Sequence, residues 1–371
     1  MRNFKRCLIL GTNSRSLINF RGKLLEHLVG KGISVTVASS RPDLESLNSL
    51  TALNVHYHVV TLKRNGLNLA YDIKTLIDLL ILFKRERLNF VLAYGVKLVI
   101  WGGLSSRIVR VPFFALITGL GFAFQGESFR RKLLEKLVTF LYRAALKNSK
   151  AVIFQNKDNR NIFIEKGIVS RSKTYIVNGS GVDIKEYSVT EFPGAHVSFL
   201  CVSRLLGEKG LREYAAAAKI VKDKFPDVKF DLVGPEDSSP DAISLEEVSK
   251  WSDYVNYNGP TNDVRPYIEK CHVYVLPSHH EGLPRSTLEA MSMGRPVLTT
   301  SAIGCKETVE EGINGFMVPV GSAIQLAQKM IWYIENKDKI QSMGEESRRI
   351  VENKFDVHKV NKEMLRILGL E

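Results

Sequence analysis

Short apolar runs alternate with helix-length amphipathic segments along the first half of the chain. The runs are rich in β-branched and aromatic residues and predict strands at residues 7–11, 35–39, 58–62, 90–94, 112–118 and 151–155. The segments between them repeat apolar positions at helical spacing and predict helices at residues 20–31, 73–86, 95–109 and 129–150. Because strands that alternate with helices form parallel sheets, this half predicts a doubly wound α/β domain.

A second series of the same kind follows it. Apolar runs predict strands at residues 197–205, 230–234, 255–259, 273–277, 297–301 and 316–318. Helical spacing predicts helices at residues 213–225, 245–250, 264–271 and 286–293 and closing helices up to residue 370. We therefore predict a second Rossmann-like parallel sheet, and a central cleft lined by the carboxyl ends of the strands of both sheets.

The length of 371 residues also favours two domains, because it exceeds what one hydrophobic core usually organises. Residues 179–193 form the candidate linker. We expect a basic N-terminal domain at residues 1–185 and a C-terminal domain at residues 186–371. The last helix is a candidate to cross back to the first domain.

Cysteine usage and hydropathy indicate the cellular compartment in which the protein folds. The four cysteines are widely separated, three of them border or occupy apolar runs, and none stands in a CxxC spacing, which predicts buried thiols in a reducing compartment. The apolar run before Gly11 has only four residues, too few for a secretory signal. No window approaches 18 uncharged apolar residues, so we expect no membrane-spanning helix.

Positive charge is concentrated in the first half of the chain. The whole sequence carries a formal net charge of +13, but residues 1–190 contain 30 Lys+Arg against 12 Asp+Glu, a net +18, and the remainder carries −5. Such asymmetry favours a polyanionic partner: nucleic acid, anionic lipid headgroups or a lipid diphosphate. Because no zinc-finger spacing, RNP-type aromatic motif or recognisable helix-turn-helix is present, we expect no nucleic-acid partner.

The basic helix predicted at 129–150 permits two interpretations. Its cationic residues could bind an anionic membrane surface, as basic amphipathic helices often do. Alternatively, the helix packs its apolar stripe on a sheet and these cations are only solvated. A second basic cluster at residues 84–87 favours membrane contact. The membrane-contact candidates are Arg130, Arg131, Lys132 and Lys136.

Two glutamates, Glu281 and Glu289, lie eight residues apart around a predicted helix start. The intervening loop contains Gly282, Leu283 and Pro284, and proline suits the first position of a helix. Unpaired N–H groups and the positive end of the helix dipole form a natural diphosphate site there. Either glutamate alone is more commonly a solvated side chain. As a pair, they predict that Glu289 reaches a ribose and Glu281 faces a hexose.

Arg204 and Lys209 follow the first strand of the second domain and lie five residues apart across a turn. Two cations that converge on a diphosphate would stabilise leaving-group charge without a metal. The alternative for such a pair is that both are solvated loop cations. We take Arg204, Lys209 and Glu281 as the candidate catalytic residues.

A metal cofactor is not expected. The sequence has no Asp-x-Asp, no HExxH and no His/Cys set at ligand spacing. His279 and His280 are adjacent, so their side chains would not converge on one ion from a regular strand.

In the first domain, the loop that follows the first strand begins with Gly11 and lacks a GxGxxG pattern, which argues against a dehydrogenase. Asn19, Phe20 and Arg21 open the next predicted helix. The N–H groups there and Arg21 can meet a donor phosphate or an acceptor diphosphate. Thr118 and Gly119 follow another strand, and the glycine permits close approach of a substrate. Asn19, Arg21, Thr118 and Gly119 are the acceptor-side candidates.

The region from Glu281 onward resembles the C-terminal donor-binding domain of the family-4 retaining glycosyltransferases, which have the GT-B fold. The resemblance rests on the segments EGLP, EAMSMGRPV and INGFMV and on Gly294, Pro296, Gly304, Glu307 and Asn314. It implies a retaining, metal-independent transfer from a nucleotide sugar, with Arg204 and Lys209 as phosphate ligands and Gly259 beside the base. Many family members carry a histidine in the first domain, whereas this chain has none from residue 59 through 195.

Over the whole chain, the segments NFRGKLLEHL, ITGLGFAF, VIFQNKDN and NGSGVD resemble a bacterial subgroup that builds undecaprenyl-diphosphate-linked oligosaccharides. The resemblance implies a UDP-linked donor, a polyprenyl-diphosphate-linked saccharide acceptor and a cytoplasmic enzyme peripheral to the inner face of the bacterial membrane. The alternative is a nonenzymatic membrane or nucleic-acid binding protein that uses the basic half.

Overall fold

The computed structural model describes residues 5–63, 66, 68–120, 124, 129–194 and 196–371, with side chains from residue 131 onward in the helix that starts at 129. The chain forms two compact units. The first comprises Met1–Ser180 and Asn361–Glu371, and the second comprises Gly181–Val360.

The first unit is built on a seven-stranded sheet in the order β3-β2-β1-β4-β5-β6-β7. Within the described residues its strand pairs are all parallel. Its strands are β1 (Arg6–Leu10), β2 (Ser34–Ser39), β3 (His56–Val59), β4 (Phe90–Tyr94), β5 (Phe113–Ile117), β6 (Ala151–Phe154) and β7 (Thr174–Ile176). The strand order reverses between β1 and β4, so their carboxyl ends mark the usual ligand position of such a sheet.

Helices cover both faces of this sheet. They are α1 (Ser14–Gly30), α2 (Leu44–Ala52), α3 (Leu69–Glu86), α4 (Val96–Val109), α5 (Phe129–Leu146) and α6 (Lys157–Glu165). One core cluster joins the sheet to α3, α4, α5 and α6 through residues such as Leu79, Leu98 and Tyr142. The other cluster contains Leu17 and Leu50, from α1 and α2.

The second unit has a six-stranded sheet in the order β10-β9-β8-β11-β12-β13, also parallel throughout the described residues. Its strands are β8 (Ser198–Val202), β9 (Lys229–Val233), β10 (Asn256–Tyr257), β11 (Val273–Leu276), β12 (Val297–Thr300) and β13 (Gly315–Val318). Its helices are α7 (Leu211–Lys222), α8 (Leu245–Ser249), α9 (Arg265–Glu269), α10 (Arg285–Ser292), α11 (Ala323–Glu335), α12 (Asp338–Ile350) and α13 (Val357–Ile367). The order reverses between β8 and β11.

The last helix, α13, begins in the second unit, and its later residues belong to the first. Met364 and Leu365 of α13 and Leu368 beyond it are buried in the first unit's core, in the cluster that contains α1 and α2. A π-helical turn at Val351–Phe355 joins α12 to this segment.

The predicted pair of parallel-sheet domains is confirmed. The prediction that Asn19, Phe20 and Arg21 open the first helix is wrong: α1 begins at Ser14, because the Asn13 side chain caps it by accepting a 2.7 Å hydrogen bond from the Ser16 N–H. The apolar pattern also missed the short elements α2, α6 and β7.

Candidate functional site

The candidate site of the second unit lies at the carboxyl ends of β8 and β11, where the strand order reverses. The loops after these strands are packed tightly together. The His279 N–H donates to the Glu208 carbonyl at 2.8 Å. Gly210 has φ +70°, and a Cβ there would lie 2.0 Å from the Pro277 carbonyl oxygen. Glycine is therefore required for the approach that brings the two loops together.

Lys209 and Glu281 form an ion pair across this junction. Their Nζ and Oε1 atoms are 2.7 Å apart, and the two side chains retain only 13% and 15% exposure. The Ser278 hydroxyl donates a second hydrogen bond to the same carboxylate oxygen at 2.8 Å. The structure thus joins two residues that the sequence had selected separately, 72 positions apart.

The environment keeps the Lys209 ammonium charged. Burial acts to lower the pKa of Lys209, but the charge and hydrogen bond of Glu281, together with the nearby Glu208, outweigh it and the pKa is raised. The charge of Arg204 acts on Lys209 in the opposite sense, so the two cations lie within electrostatic range of each other. Such a pair of cations suits a doubly anionic group such as a diphosphate.

Arg204 is held by a residue that the sequence interpretation missed. Its guanidinium donates to the buried carboxylate of Asp237. The Ser239 N–H donates to the other Asp237 oxygen at 2.8 Å. Burial acts to raise the pKa of Asp237, but the hydrogen bond of Ser239 and the charge of Arg204 prevail and the pKa is lowered. Asp237 is therefore a charged carboxylate, and it positions the Arg204 guanidinium.

The start of α10 lies directly after the Glu281 loop. Helix α10 begins at Arg285, so Pro284 precedes the helix rather than occupying its first position, and the apolar pattern placed the start one residue late, at residue 286. The N-cap residue, Pro284, makes no side-chain hydrogen bond to this end of the helix. The loop is held by the segment that follows β12, because the Glu281 N–H donates to the Ile303 carbonyl at 2.8 Å. A Cβ on Gly304, which has φ +82°, would lie 2.4 Å from the Glu281 carbonyl oxygen.

Glu289 is nearly enclosed on α10. The Arg285 Nε donates to its Oε1 at 2.7 Å, one helical turn earlier. Burial raises the pKa of Glu289, although Arg285 and the hydrogen bond from Tyr187 oppose that effect. Sequence reasoning missed both partners. Arg285 could have been found, because it lies four residues before Glu289 on a predicted helix and the two side chains share one side of it. Tyr187 lies about 100 residues earlier in the sequence, and no local pattern links it to Glu289.

Tyr187 is itself anchored to the far end of α10. Its carbonyl oxygen accepts hydrogen bonds from the Ser292 hydroxyl at 2.7 Å and from Arg348 at 3.0 Å. Arg348 also donates to the Ser292 carbonyl at 2.7 Å. These contacts fix the backbone of Tyr187 relative to the helix that carries Glu289.

Gly259 and Asp263 follow β10 at the same edge of the second sheet. The Gly259 carbonyl accepts from the Gly234 N–H at 2.9 Å. Apart from Gly259 and its two chain neighbours, no described residue has an atom within 4 Å of the Cβ position of Gly259. Asp263 accepts two hydrogen bonds from the Arg265 guanidinium at 2.8 and 3.0 Å. The open side of Gly259 leaves room for a planar group against the backbone.

The two adjacent histidines point to different surroundings. His279 Nε2 lies 3.0 Å from Glu213 Oε1, and this hydrogen bond raises the pKa of His279. The Nε2 atom of His280 is buried and has no hydrogen-bond partner among the residues that the structure describes, and burial lowers the pKa of His280. Across the described ranges, no group of three His, Cys, Asp or Glu side chains is arranged to hold a metal ion. Metal independence stays a prediction.

In the first unit, Gly11 lies at the edge where β1 meets β4. A Cβ at Gly11 would lie 2.5 Å from the Tyr94 hydroxyl, so close packing against Tyr94 accounts for a glycine at this position. Arg21 is buried and its guanidinium carbon lies 5.4 Å from the centre of the Tyr94 ring, whereas Asn19 is exposed on α1. Thr118 and Gly119 are half-buried, with open space at the Cβ position of Gly119.

The membrane-contact candidates lie on α5. Lys132 and Lys136 are exposed and Arg131 is half-buried, while the side chain of Arg130 lies outside the described residues. In the part of the chain that the structure describes, no helix has the length and apolar character needed to cross a bilayer.

Comparison with known proteins supports the resemblance found in the sequence. Residues 196–336 match the family described as Glycosyl transferases group 1. The chain is 26% identical over 336 residues to a Campylobacter jejuni protein, N,N'-diacetylbacillosaminyl-diphospho-undecaprenol alpha-1,3-N-acetylgalactosaminyltransferase, with 87% of each chain covered. It is 26% identical over 317 residues to the Escherichia coli UDP-Gal:alpha-D-GlcNAc-diphosphoundecaprenol alpha-1,3-galactosyltransferase, covering 82% of this chain and 80% of the relative.

The fold has close counterparts among solved structures. Anabaena Alr3699/HepE in complex with UDP-glucose matches with a TM-score of 0.79 and 19% identity, covering 98% of this chain and 99% of that one. None of these relatives supports the nonenzymatic alternative. Residues 196–336 are thus similar to a group 1 glycosyl transferase domain, and the protein is a glycosyltransferase with the GT-B fold.

Proposed function

We propose that the protein transfers a hexose or N-acetylhexosamine from a UDP-linked donor to a saccharide carried on a polyprenyl diphosphate, with retention, in the synthesis of a bacterial surface polysaccharide or glycan. The names of both relatives above specify a diphospho-undecaprenol substrate, and one specifies a UDP-sugar. The observation that carries the proposal is the buried Lys209–Glu281 pair with Arg204 near it.

The pair suits a nucleotide sugar because it presents a cation and a carboxylate side by side. An ammonium group has three donors, so Lys209 can keep its bond to Glu281 and also bind a phosphate oxygen. Glu281 retains an oxygen that can accept hydrogen bonds from hexose hydroxyls. Arg204 supplies the second cation for the diphosphate.

In the reaction, the bond between sugar C1 and the β-phosphate oxygen breaks and a bond from C1 to the acceptor oxygen forms. The acceptor proton passes to the departing β-phosphate. Retention follows when the acceptor attacks from the face that the diphosphate leaves. Arg204 and Lys209 stabilise the charge that develops on the diphosphate, and this route requires neither a protein nucleophile nor a metal.

We assign the rest of the donor to α10 and its neighbours. Glu289 accepts hydrogen bonds from the ribose, the Gly282, Leu283 and Pro284 loop lies along the diphosphate, and Gly259 contacts the base. The first domain supplies Gly11 on the donor side, and Asn19, Arg21, Thr118 and Gly119 on the acceptor side.

We place the enzyme at the inner face of the bacterial cytoplasmic membrane, as a peripheral protein, because a polyprenyl-linked acceptor is anchored in that membrane. The basic first half of the chain, with its net charge of +18, supports this location.

The experiment is a screen of UDP-, GDP- and ADP-sugars for thermal stabilisation, followed by a transfer assay on a polyprenyl-diphosphate-linked acceptor with and without EDTA. A UDP-sugar at 100 times its dissociation constant should add about 2.7 kcal/mol to the free energy of unfolding. Transfer should continue in EDTA. The proposal fails if no UDP-sugar stabilises the protein and none is consumed.

A further inference from the structure

Three helices of the first unit form one layer on the sheet face opposite α1 and α2. Helix α4 packs between α3 and α5, and the three share one core cluster with the sheet. The outer sides of these helices therefore form a continuous surface of the first unit, which we call the α3–α5 surface.

The α3–α5 surface exposes large apolar side chains at helical spacing. On α3, Ile73, Ile77 and Ile81 recur every four residues with 48%, 48% and 60% exposure. Residues four apart share one side of a helix, so these isoleucines form a stripe along α3. None of the three belongs to the core cluster found among the described residues.

The neighbouring helices extend this apolar stripe. On α5, Leu133, Leu137 and Phe140 have 63%, 43% and 65% exposure. On α4, Ile108 is 61% exposed and lies seven residues beyond the half-buried Trp101. A partly exposed tryptophan among aliphatic side chains is typical of the interface between water and lipid.

The exposed charges on these helices, among their described side chains, are all positive. None of the four acidic side chains of α3, α4 and α5 is exposed, and each has a partner within the protein. Asp72 binds Lys97, Asp78 accepts from the Thr61 N–H, Glu86 pairs with Arg85 and Glu135 pairs with Lys166. The exposed cations of the three helices, among their described side chains, are Lys74, Lys84, Arg85, Arg107, Lys132, Lys136 and Arg143.

The exposed apolar side chains and the exposed cations together indicate which partner binds the α3–α5 surface. A two-fold dimer through the α3–α5 surface would bring the same cations of both copies together without an exposed acidic residue on these helices to pair them. A nucleic acid would satisfy the cations but leave the apolar stripes in contact with polar groups. An anionic bilayer satisfies both, because headgroups pair with the cations while apolar side chains enter the acyl region.

We propose that the α3–α5 surface docks the first domain on a bilayer that contains anionic lipid, with the apolar stripes of α3 and α5 inserted. The inference deepens the proposed function, on which it rests only for the substrate: docking would hold the enzyme on the leaflet that carries a lipid-linked acceptor. It extends the contact beyond the cations of α5 to α3 and to hydrophobic insertion.

The test is cosedimentation with vesicles of phosphatidylcholine alone or with 30% phosphatidylglycerol, at rising salt. The Lys132→Glu/Lys136→Glu variant should bind anionic vesicles at least tenfold more weakly, because each basic residue near such a surface contributes about fivefold to affinity. The Ile73→Ser/Ile77→Ser/Ile81→Ser variant should also lose at least tenfold. Its residual binding should be abolished by about 0.5 M salt, which screens charge.

Matched controls carry the same changes at exposed positions outside the α3–α5 surface. They are Lys219→Glu/Lys224→Glu and Leu44→Ser/Ile220→Ser/Ile324→Ser, which should bind vesicles like the wild type. The proposal is overturned if the two α3–α5 variants bind like their controls, or if the wild type fails to bind anionic vesicles. A change of sedimentation coefficient in the isoleucine variant with unaltered vesicle binding would reassign the surface to self-association.

The two proposals can fail separately. Transfer to an acceptor with a short, water-soluble polyprenyl chain needs no bilayer, so the α3–α5 variants should retain wild-type rates in that assay. Loss of vesicle binding with full transfer supports docking, whereas vesicle binding without any transfer contradicts only the proposed function.

Discussion

Lys209 and Glu281 form a largely enclosed ion pair. Both side chains are largely enclosed, so removal of one leaves the other charged in a poorly solvated place. The pair was selected from the sequence by the position of each residue after a strand. The partners that hold the site, Asp237 and Tyr187, were not predictable, since only tertiary folding brings them to Arg204 and Glu289.

We predict that Lys209→Met lowers the free energy of unfolding by about 3 kcal/mol, the size expected when one partner of a buried pair is removed. Adding Glu281→Gln should restore at least half of that loss. Urea unfolding of the four members of this double-mutant cycle measures the coupling. The exposed Lys219→Met serves as control, and additive losses would show that the two residues do not stabilise each other.

Substitutions of the two glutamates should distinguish binding of the nucleotide from use of the sugar. We predict that Glu289→Gln weakens the binding of UDP about tenfold, because a ribose-binding carboxylate is lost, while Glu281→Gln leaves UDP binding nearly unchanged and lowers turnover. Isothermal titration with UDP, followed by the transfer assay, checks both. The opposite pattern would reverse our orientation of the donor.

Binding of UDP should depend on pH through Glu289. Burial raises its pKa above the ordinary value of 4.5, so the carboxylate that accepts from ribose is present above this raised pKa and is lost as pH falls through it. We predict that the affinity for UDP decreases on acidification, starting at a higher pH than an ordinary glutamate would cause. Titration of Glu289→Gln in parallel should show no such decrease; an identical decrease would assign the effect to another group.

At the scale of elements, α10 connects the site to the rest of its domain. Its start follows the Glu281 loop, its middle carries Glu289, and its end holds Tyr187 through Ser292. Helix periodicity predicted this element within one residue. It failed at α1, where the cap formed by Asn13, and not the apolar pattern, sets the start.

We predict that Tyr187→Phe moves the pH midpoint of UDP binding upward, because the hydrogen bond from Tyr187 favours the charged form of Glu289. The Michaelis constant for the donor should rise several-fold at neutral pH with little change in melting temperature. The control is Tyr333→Phe, which removes a buried hydroxyl that has no hydrogen-bond partner in the described part of the chain. An unshifted midpoint would exclude Tyr187 from the positioning of Glu289.

For the whole molecule, the alternation of strands and helices was sufficient to predict two parallel sheets, because each strand–helix unit is local in sequence. The last residues, Asn361–Glu371, belong to the first unit, because Met364 and Leu365 are buried in the core cluster that contains α1 and α2. The excess of positive charge predicted a basic domain. The exposed apolar stripes on its helices could be recognised only from the structure, which shows which apolar side chains the core does not cover.

The central claim is that the cations at the carboxyl edge of the second sheet drive departure of the diphosphate. Single-turnover transfer from a radiolabelled UDP-sugar, measured at saturating donor for the wild type, Arg204→Ala and Lys209→Ala, tests it most directly. We predict that each variant folds and reacts about 100-fold more slowly, since each loses charge stabilisation that develops as the diphosphate leaves. Wild-type rates in both variants would contradict the account.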